Sequence, residues 1–177
     1  MNIRRTRIAT AAASTLVAAL ALTGIATGAA TAAPAKAKAT KIVTCTDSNT
    51  KVAVSKASSP VNHLLIKATN KGNTPCYAYM APTLRFDQDQ AATQINWDST
   101  PQAVVTLDPG QTAYASVRTS GGGGHLRTAK KLGVGFANRA GEGIGSLSTS
   151  TLPKGTRIDD SAQVTYWQAT SALALSY

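Results

Sequence analysis

Few side chains in this sequence have the type and spacing that chemistry needs. A hydrolytic triad requires a histidine between a hydroxyl and a carboxylate, and there are two histidines, His63 and His125. His63 opens an apolar alternating run, where a surface pairing role accounts for it. His125 follows Gly121–Gly124, which leaves it exposed and loosely held. The run GIGSLS lacks the Gly-x-Ser-x-Gly spacing of a nucleophile elbow. Glycoside hydrolysis needs two firmly placed carboxylates, but Glu142 is the sole glutamate and sits in the flexible string AGEGIG. Asp159 and Asp160 are adjacent and point apart if extended; in a loop they would hold a cation only weakly. Asp87 and Asp89 share a face, yet DQDQ lacks the glycine and terminal glutamate of a calcium loop and reads as a solvated hairpin tip. No Lys-Ser/Thr follows Gly121–Gly124, so it is no phosphate loop. The expectation is no catalytic set, no metal set and no cofactor.

Two further residue classes carry information. Cys45 and Cys76 are the only cysteines, 31 positions apart. In an exported chain they read as one disulfide; the rival is two free thiols or half of a metal site, but two isolated histidines do not complete a zinc signature. The aromatic residues Tyr77, Tyr79, Trp97, Tyr166 and Trp167 are the candidate binding surface. An exposed tyrosine–tryptophan cluster grips sugars or a partner protein; the alternative is a core assembled from scarce large residues. Tyr77 and Tyr79 share a strand face, whereas Tyr166 and Trp167 face opposite ways, which places one inside and one outside.

The elements that must position these residues are short strands. KIVTCT, TKVAVSKA, HLLIKATN, CYAYM, TLRF, AVVTL, TAYASVR, KLGVGFAN and AQVTYWQ alternate with period two. In HLLIKATN, Leu64, Ile66 and Ala68 share one face and Leu65 takes the other. Turn chemistry separates the runs at Ser58-Ser59-Pro60, Lys71-Gly72-Asn73, Asp108-Pro109-Gly110 and Leu152-Pro153-Lys154-Gly155. Gly141–Thr151 is low in complexity and reads as loop. No helical period is sustained outside the first thirty residues. About seven to nine strands with such turns predict an all-β, antiparallel β-sandwich over residues 42–177.

The N-terminus reads as a secretory signal over residues 1–32. MNIRRTR is basic, an apolar Ala/Thr-rich run follows, and Ala30-Thr31-Ala32 is the cleavage triplet. Arg4-Arg5 lacks the flanking residues of a twin-arginine signal, so the general secretion route is expected. Residues 33–41 are Ala, Lys, Pro and Thr alone and read as a disordered tail. The whole chain carries +10. Loss of Arg4, Arg5 and Arg7 leaves fifteen Lys/Arg against eight Asp/Glu, or +7. Setting aside Lys36, Lys38 and Lys41 leaves +4 from Ile42 onward. That mild excess serves solubility and fits an anionic envelope polymer. No basic helix or RNA-binding aromatic motif supports a nucleic-acid partner.

CTDSNTKVAVSKASSPVNHLLIKATNKGNTPCYAYMAPTLRF together with VVTLDPGQTAYASVR resembles the domain of unknown function 4232 family. The resemblance rests on Asn70-x-Gly72-x-x-x-Cys76 and on Leu107-x-Pro109-Gly110-x-x-Ala113, and it spans most of residues 42–170. It implies an immunoglobulin-like sandwich, secreted or lipoprotein, of high-GC Gram-positive bacteria, with no established activity. The family's second cysteine pair toward the C-terminus is missing here, and Met80-Ala81 replace the usual aromatic before Pro82. The expected function is a secreted, non-catalytic binding or structural module at the cell envelope or in the medium. Its partner would be an anionic envelope polymer or a protein, and no membrane span remains after signal cleavage. The alternatives are an inhibitor or toxin-accessory protein presenting a loop such as Gly121–Gly124, and an extracellular hydrolase.

Overall fold

The computed structural model of the chain describes residues 41–122 and 124–177. The expected signal peptide and nearly all of the expected tail lie outside the described residues. In chain order the elements are β1 (Val43–Thr44), β2 (Thr50–Lys56), β3 (His63–Asn70), β4 (Cys76–Phe86), β5 (Gln94–Ile95), a 3-10 turn (Trp97–Ser99) and β6 (Val105–Leu107). They continue with β7 (Thr112–Arg118), β8 (Arg127–Thr128), β9 (Lys131–Ala137), β10 (Gly143–Thr151), β11 (Arg157–Ile158), β12 (Gln163–Val164) and helix α1 (Ser171–Leu175).

Two sheets make the sandwich. One runs β1-β4-β9-β10 with β6 also on β4; the other runs β2-β3-β7-β12-β5; β8 and β11 form a small ribbon. The inner faces follow the period-two pattern of the sequence. Leu64, Ile66 and Ala68 of β3 and Ala113, Ala115 and Val117 of β7 are buried, as are Leu84 and Phe86 of β4 and Leu132, Val134 and Phe136 of β9. Leu65 points to the outer face and is only half-buried.

The structure refines the sequence reading at four places. The sheets are antiparallel except at two edges, where β1 pairs with β4 and β12 with β5 in parallel. CYAYM and TLRF are one strand, β4, bent where Tyr79 pairs with Ala137 but Thr83 with Gly135. Two extra residues sit in that bulge, Met80 within it has φ 58°, and Pro82 suits a position that donates no ladder bond. Residues 143–151 are not loop but strand β10, paired with β9 and bulged between Ile144 and Ser148. A short helix, α1, closes the chain, its Thr170 side chain accepting from Leu173 N.

Cys45 and Cys76 are bonded and buried, as the disulfide reading expects, and tie β1 to the first residue of β4. Beside them, buried Asn70 organises the turn. Its Nδ2 donates to Thr74 O and Leu107 O, both at 2.9 Å, and its Oδ1 accepts from Gly72 N at 2.9 Å. Its backbone exchanges bonds with the second turn, Asn70 N to Gln111 O (2.9 Å) and Gly110 N to Asn70 O (2.8 Å). The Asn-x-Gly and Leu-x-Pro-Gly motifs are thus two halves of one contact.

Candidate functional site

Four of the five aromatic candidates form two pairs, Tyr77 with Tyr79 and Trp97 with Tyr166, and Tyr79 and Tyr166 line one cleft. Tyr77 and Tyr79, two apart on β4, pack with ring centres 5.4 Å apart. After them, in the bulge, Met80 is half-buried against the core, and Met80 O accepts from Trp167 N at 3.1 Å. Trp97 is placed by the 3-10 turn. Asn96 caps it by accepting from Asp98 N at 3.2 Å, and buried Ser99 anchors it. Ser99 Oγ donates to Asn96 O (2.6 Å) and accepts from Tyr166 N (2.9 Å), while Ser99 O accepts from Gln168 Nε2 (2.5 Å). Trp97 therefore sits with its ring centre 6.0 Å from Tyr166, yet it is 64% exposed. Between Tyr79, Met80, Tyr166, Pro101 and Val104 lies a cleft of about 270 Å³, mostly apolar, with Arg139 at its rim. The β9–β10 hairpin presents Arg139. Asn138 Oδ1 accepts from Ala140 N (2.9 Å) and Glu142 N (3.0 Å), and Gly141 takes φ 86° to close the turn.

Trp167 is not part of this cleft. It is 1% exposed and stacks on Phe136 with ring centres 5.6 Å apart, while Tyr166 is 7% exposed. Both are buried, contrary to the one-in, one-out expectation. Alternation holds only along an extended strand, and β12 stops at Val164. Beyond it the chain crosses between the sheets: Thr165 N and Gln168 N bond to Ser116 O and Tyr114 O of β7, but Trp167 N bonds to β4.

The polar candidates fall elsewhere. His63 is buried, not a surface pairing residue; its Nδ1 lies 2.8 Å from Val61 O and so donates to it. His125 is fully exposed, with Nδ1 3.2 Å from Asp160 Oδ2. The His125 backbone N–H, then its ring, lower the Asp160 pKa. Asp159 is buried beneath the hydroxyls of Ser161 (2.6 Å) and Ser120 (2.7 Å), which hold its pKa down at about 2. Asp87 and Asp89 both pair with Arg127, and Asp87 also accepts from Lys130 N and Lys131 N, so DQDQ is a strut between β4 and β9 rather than a solvated tip. Among the described residues no cluster of three or more His, Cys, Asp or Glu is placed to hold a metal.

The family model described as Domain of unknown function (DUF4232) matches residues 45–168. The chain belongs to this family. No curated protein and no solved structure matches it. The DUF4232 match begins at the disulfide's Cys45 and ends at Gln168, whose side chain reaches Ser99. It therefore includes every residue of the aromatic cleft. Among the described residues no helix is long and apolar enough to cross a membrane. Sequence reasoning missed Met80, Val104 and Arg139. The break in alternation at Met80-Ala81-Pro82 is the signal for the first; nothing in local spacing brings the β9–β10 hairpin to β4.

Proposed function

We propose that this DUF4232 domain is an exported, non-catalytic binding module whose aromatic cleft takes an apolar side chain of a protein partner. The observation that carries the reading is Trp97, left 64% exposed on an anchored turn beside an apolar cleft. Trp, Tyr and Arg are the side chains that dominate protein–protein binding energy; Tyr79 and Arg139 line this cleft, and Trp97 stands against Tyr166 in its wall. A sugar would need a dense set of hydrogen-bonding groups, whereas the cleft wall is mostly apolar. The disulfide and the lack of a membrane-crossing helix among the described residues fit an extracellular location. Less supports a presented loop: Gly121 N is held by Ser161 Oγ at 2.8 Å and His125 by Asp160. A hydrolase is weaker still, since the ring bonds of His63 and His125 go to a carbonyl and to Asp160, with no hydroxyl in line.

A photo-reactive residue at Val104 tests the reading in culture fluid and on intact cells. The expected result is a discrete protein adduct, absent when the same probe sits at exposed Thr149 on β10. Trp97→Ala should weaken capture by a factor of about 30, the scale of a hot-spot tryptophan. An adduct equally strong from Thr149, or unchanged by Trp97→Ala, would overturn the proposal.

A further inference from the structure

At the other end of the sandwich lies a second concavity that the aromatic reading does not use. Strand β3 runs from His63, which lines it, to Asn70 beside the disulfide turn. The notch holds about 220 Å³ and gathers Lys56 from the end of β2, His63, Thr119, Lys154 and Arg157. Its walls are firmly built. Asn62, at φ 58°, is pinned where its carbonyl accepts from Thr119 N (2.7 Å) and Thr119 Oγ1 (3.0 Å). The Pro153–Thr156 turn is closed by Thr156 N (3.1 Å) and Oγ1 (2.7 Å) donating to Pro153 O, and it is tied to the ribbon by Ala129 N to Thr156 O (3.0 Å). Gly155 there has φ 78° and open space where a Cβ would stand, so the backbone is bare to a ligand.

The charge at this end is unbalanced. The neighbouring carboxylates are already committed: Asp87 and Asp89 to Arg127, Asp160 to His125, Asp159 to Ser120 and Ser161. Among the described residues Lys56, Lys154 and Arg157 have no carboxylate partner. The hydroxyls of Thr119, Ser120 and Thr156 spend their protons on protein acceptors. The uncommitted charged groups of the notch are therefore cationic donors from two segments, Lys56 at the end of β2 and Lys154 and Arg157 on the turn leading into β11.

We infer that this notch is a binding site for a phosphate-type oxyanion. Three uncompensated cations gathered on one notch suit the several oxygens and higher charge of a phosphate better than a single carboxylate, and charge-assisted bonds from Lys and Arg are the strong class. A free or terminal phosphate and a phosphodiester within a polymer present the same oxygens. The site lies apart from the aromatic cleft and does not rest on the protein-binding reading.

Amide spectra of the folded domain, titrated with inorganic phosphate and separately with poly(glycerol phosphate) at constant ionic strength, test this. Saturable shifts confined to His63, Thr119, Gly155, Thr156 and Arg157 are expected. Lys154→Ala/Arg157→Ala removes two exposed side chains, so its melting temperature should stay put while affinity falls about tenfold. Saturation by both probes, or by one alone, supports the site and says whether it takes the terminal group or the diester. Saturation by neither, equal shifts from acetate, or unchanged affinity in the folded double variant would overturn it. Trp97→Ala should leave these titrations untouched, so failure here and failure at the cleft are separate results.

Discussion

At the scale of single residues, the most consequential side chain is Asn70, because one buried carboxamide satisfies two carbonyls and one N–H from two turns. Asn70→Ala leaves Leu107 O and Thr74 O without that partner. Each buried polar group so orphaned costs about 1–3 kcal/mol, so chemical denaturation should show a loss of at least about 2 kcal/mol. A loss below 0.5 kcal/mol, on the order of an ordinary surface change, would contradict the hub role. Asp159 supports a second prediction. Its pKa is lowered from 3.8 to about 2 by the Ser161 and Ser120 hydroxyls. A carboxyl with a depressed folded-state pKa adds stability above its unfolded value and loses it as pH falls toward the folded one. Thermal stability should therefore drop between about pH 4 and pH 2, and Asp159→Asn should flatten that segment of the profile.

At the scale of elements, β9 and β10 fit through missing side chains. Ala or larger at Gly133 or Gly135 would place a Cβ 3.0 Å or 2.8 Å from Leu147, which the β10 bulge folds over both glycines. Gly135→Ala should destabilise by about 1–3 kcal/mol through overpacking, and adding Leu147→Ala should recover part of that, seen as coupling in a double-mutant cycle. Additive losses would mean that the contact is not the cause. The same pair explains what the sequence concealed. The strands facing the core on both sheets were legible, because Leu64/Ile66/Ala68 and Leu132/Val134/Phe136 alternate, Leu65 apart, against polar or small neighbours. Strand β10 was not, because an edge strand of Gly, Ser and Thr carries little hydrophobic signal and its ladder with β9 is set by a distant partner. The parallel pairing of β1 and β12 is equally silent in local pattern. For the cleft, residue type pointed to Tyr77, Tyr79, Trp97 and Tyr166. The cleft that brings the two pairs side by side depends on the bulge at Met80, on Ser99 holding the 3-10 turn, and on residues 165–168 crossing between sheets, none of which has a periodicity to read.

At the scale of the whole molecule, one continuous core joins the two sheets, from Cys45 and Cys76 at one end to Phe86, Leu132 and Ile158 at the other. A single cluster of this kind unfolds as one unit, and the disulfide is its one covalent cross-tie among the described residues. Because the bond spans 31 positions, the chain-entropy model assigns it about 3–4 kcal/mol. That is a large share of the roughly 5–15 kcal/mol available to a domain, and the C-terminal half, without a second bridge, has only packing to offset its loss. Cys45→Ala/Cys76→Ala should therefore still melt in one transition, lowered by on the order of 10 °C. Calorimetry decides between this and the alternative of a locally acting bridge. In that case β1 and the Asn70 turn would loosen alone, giving a broadened or two-step trace while strands β7 and β9 kept their original midpoint.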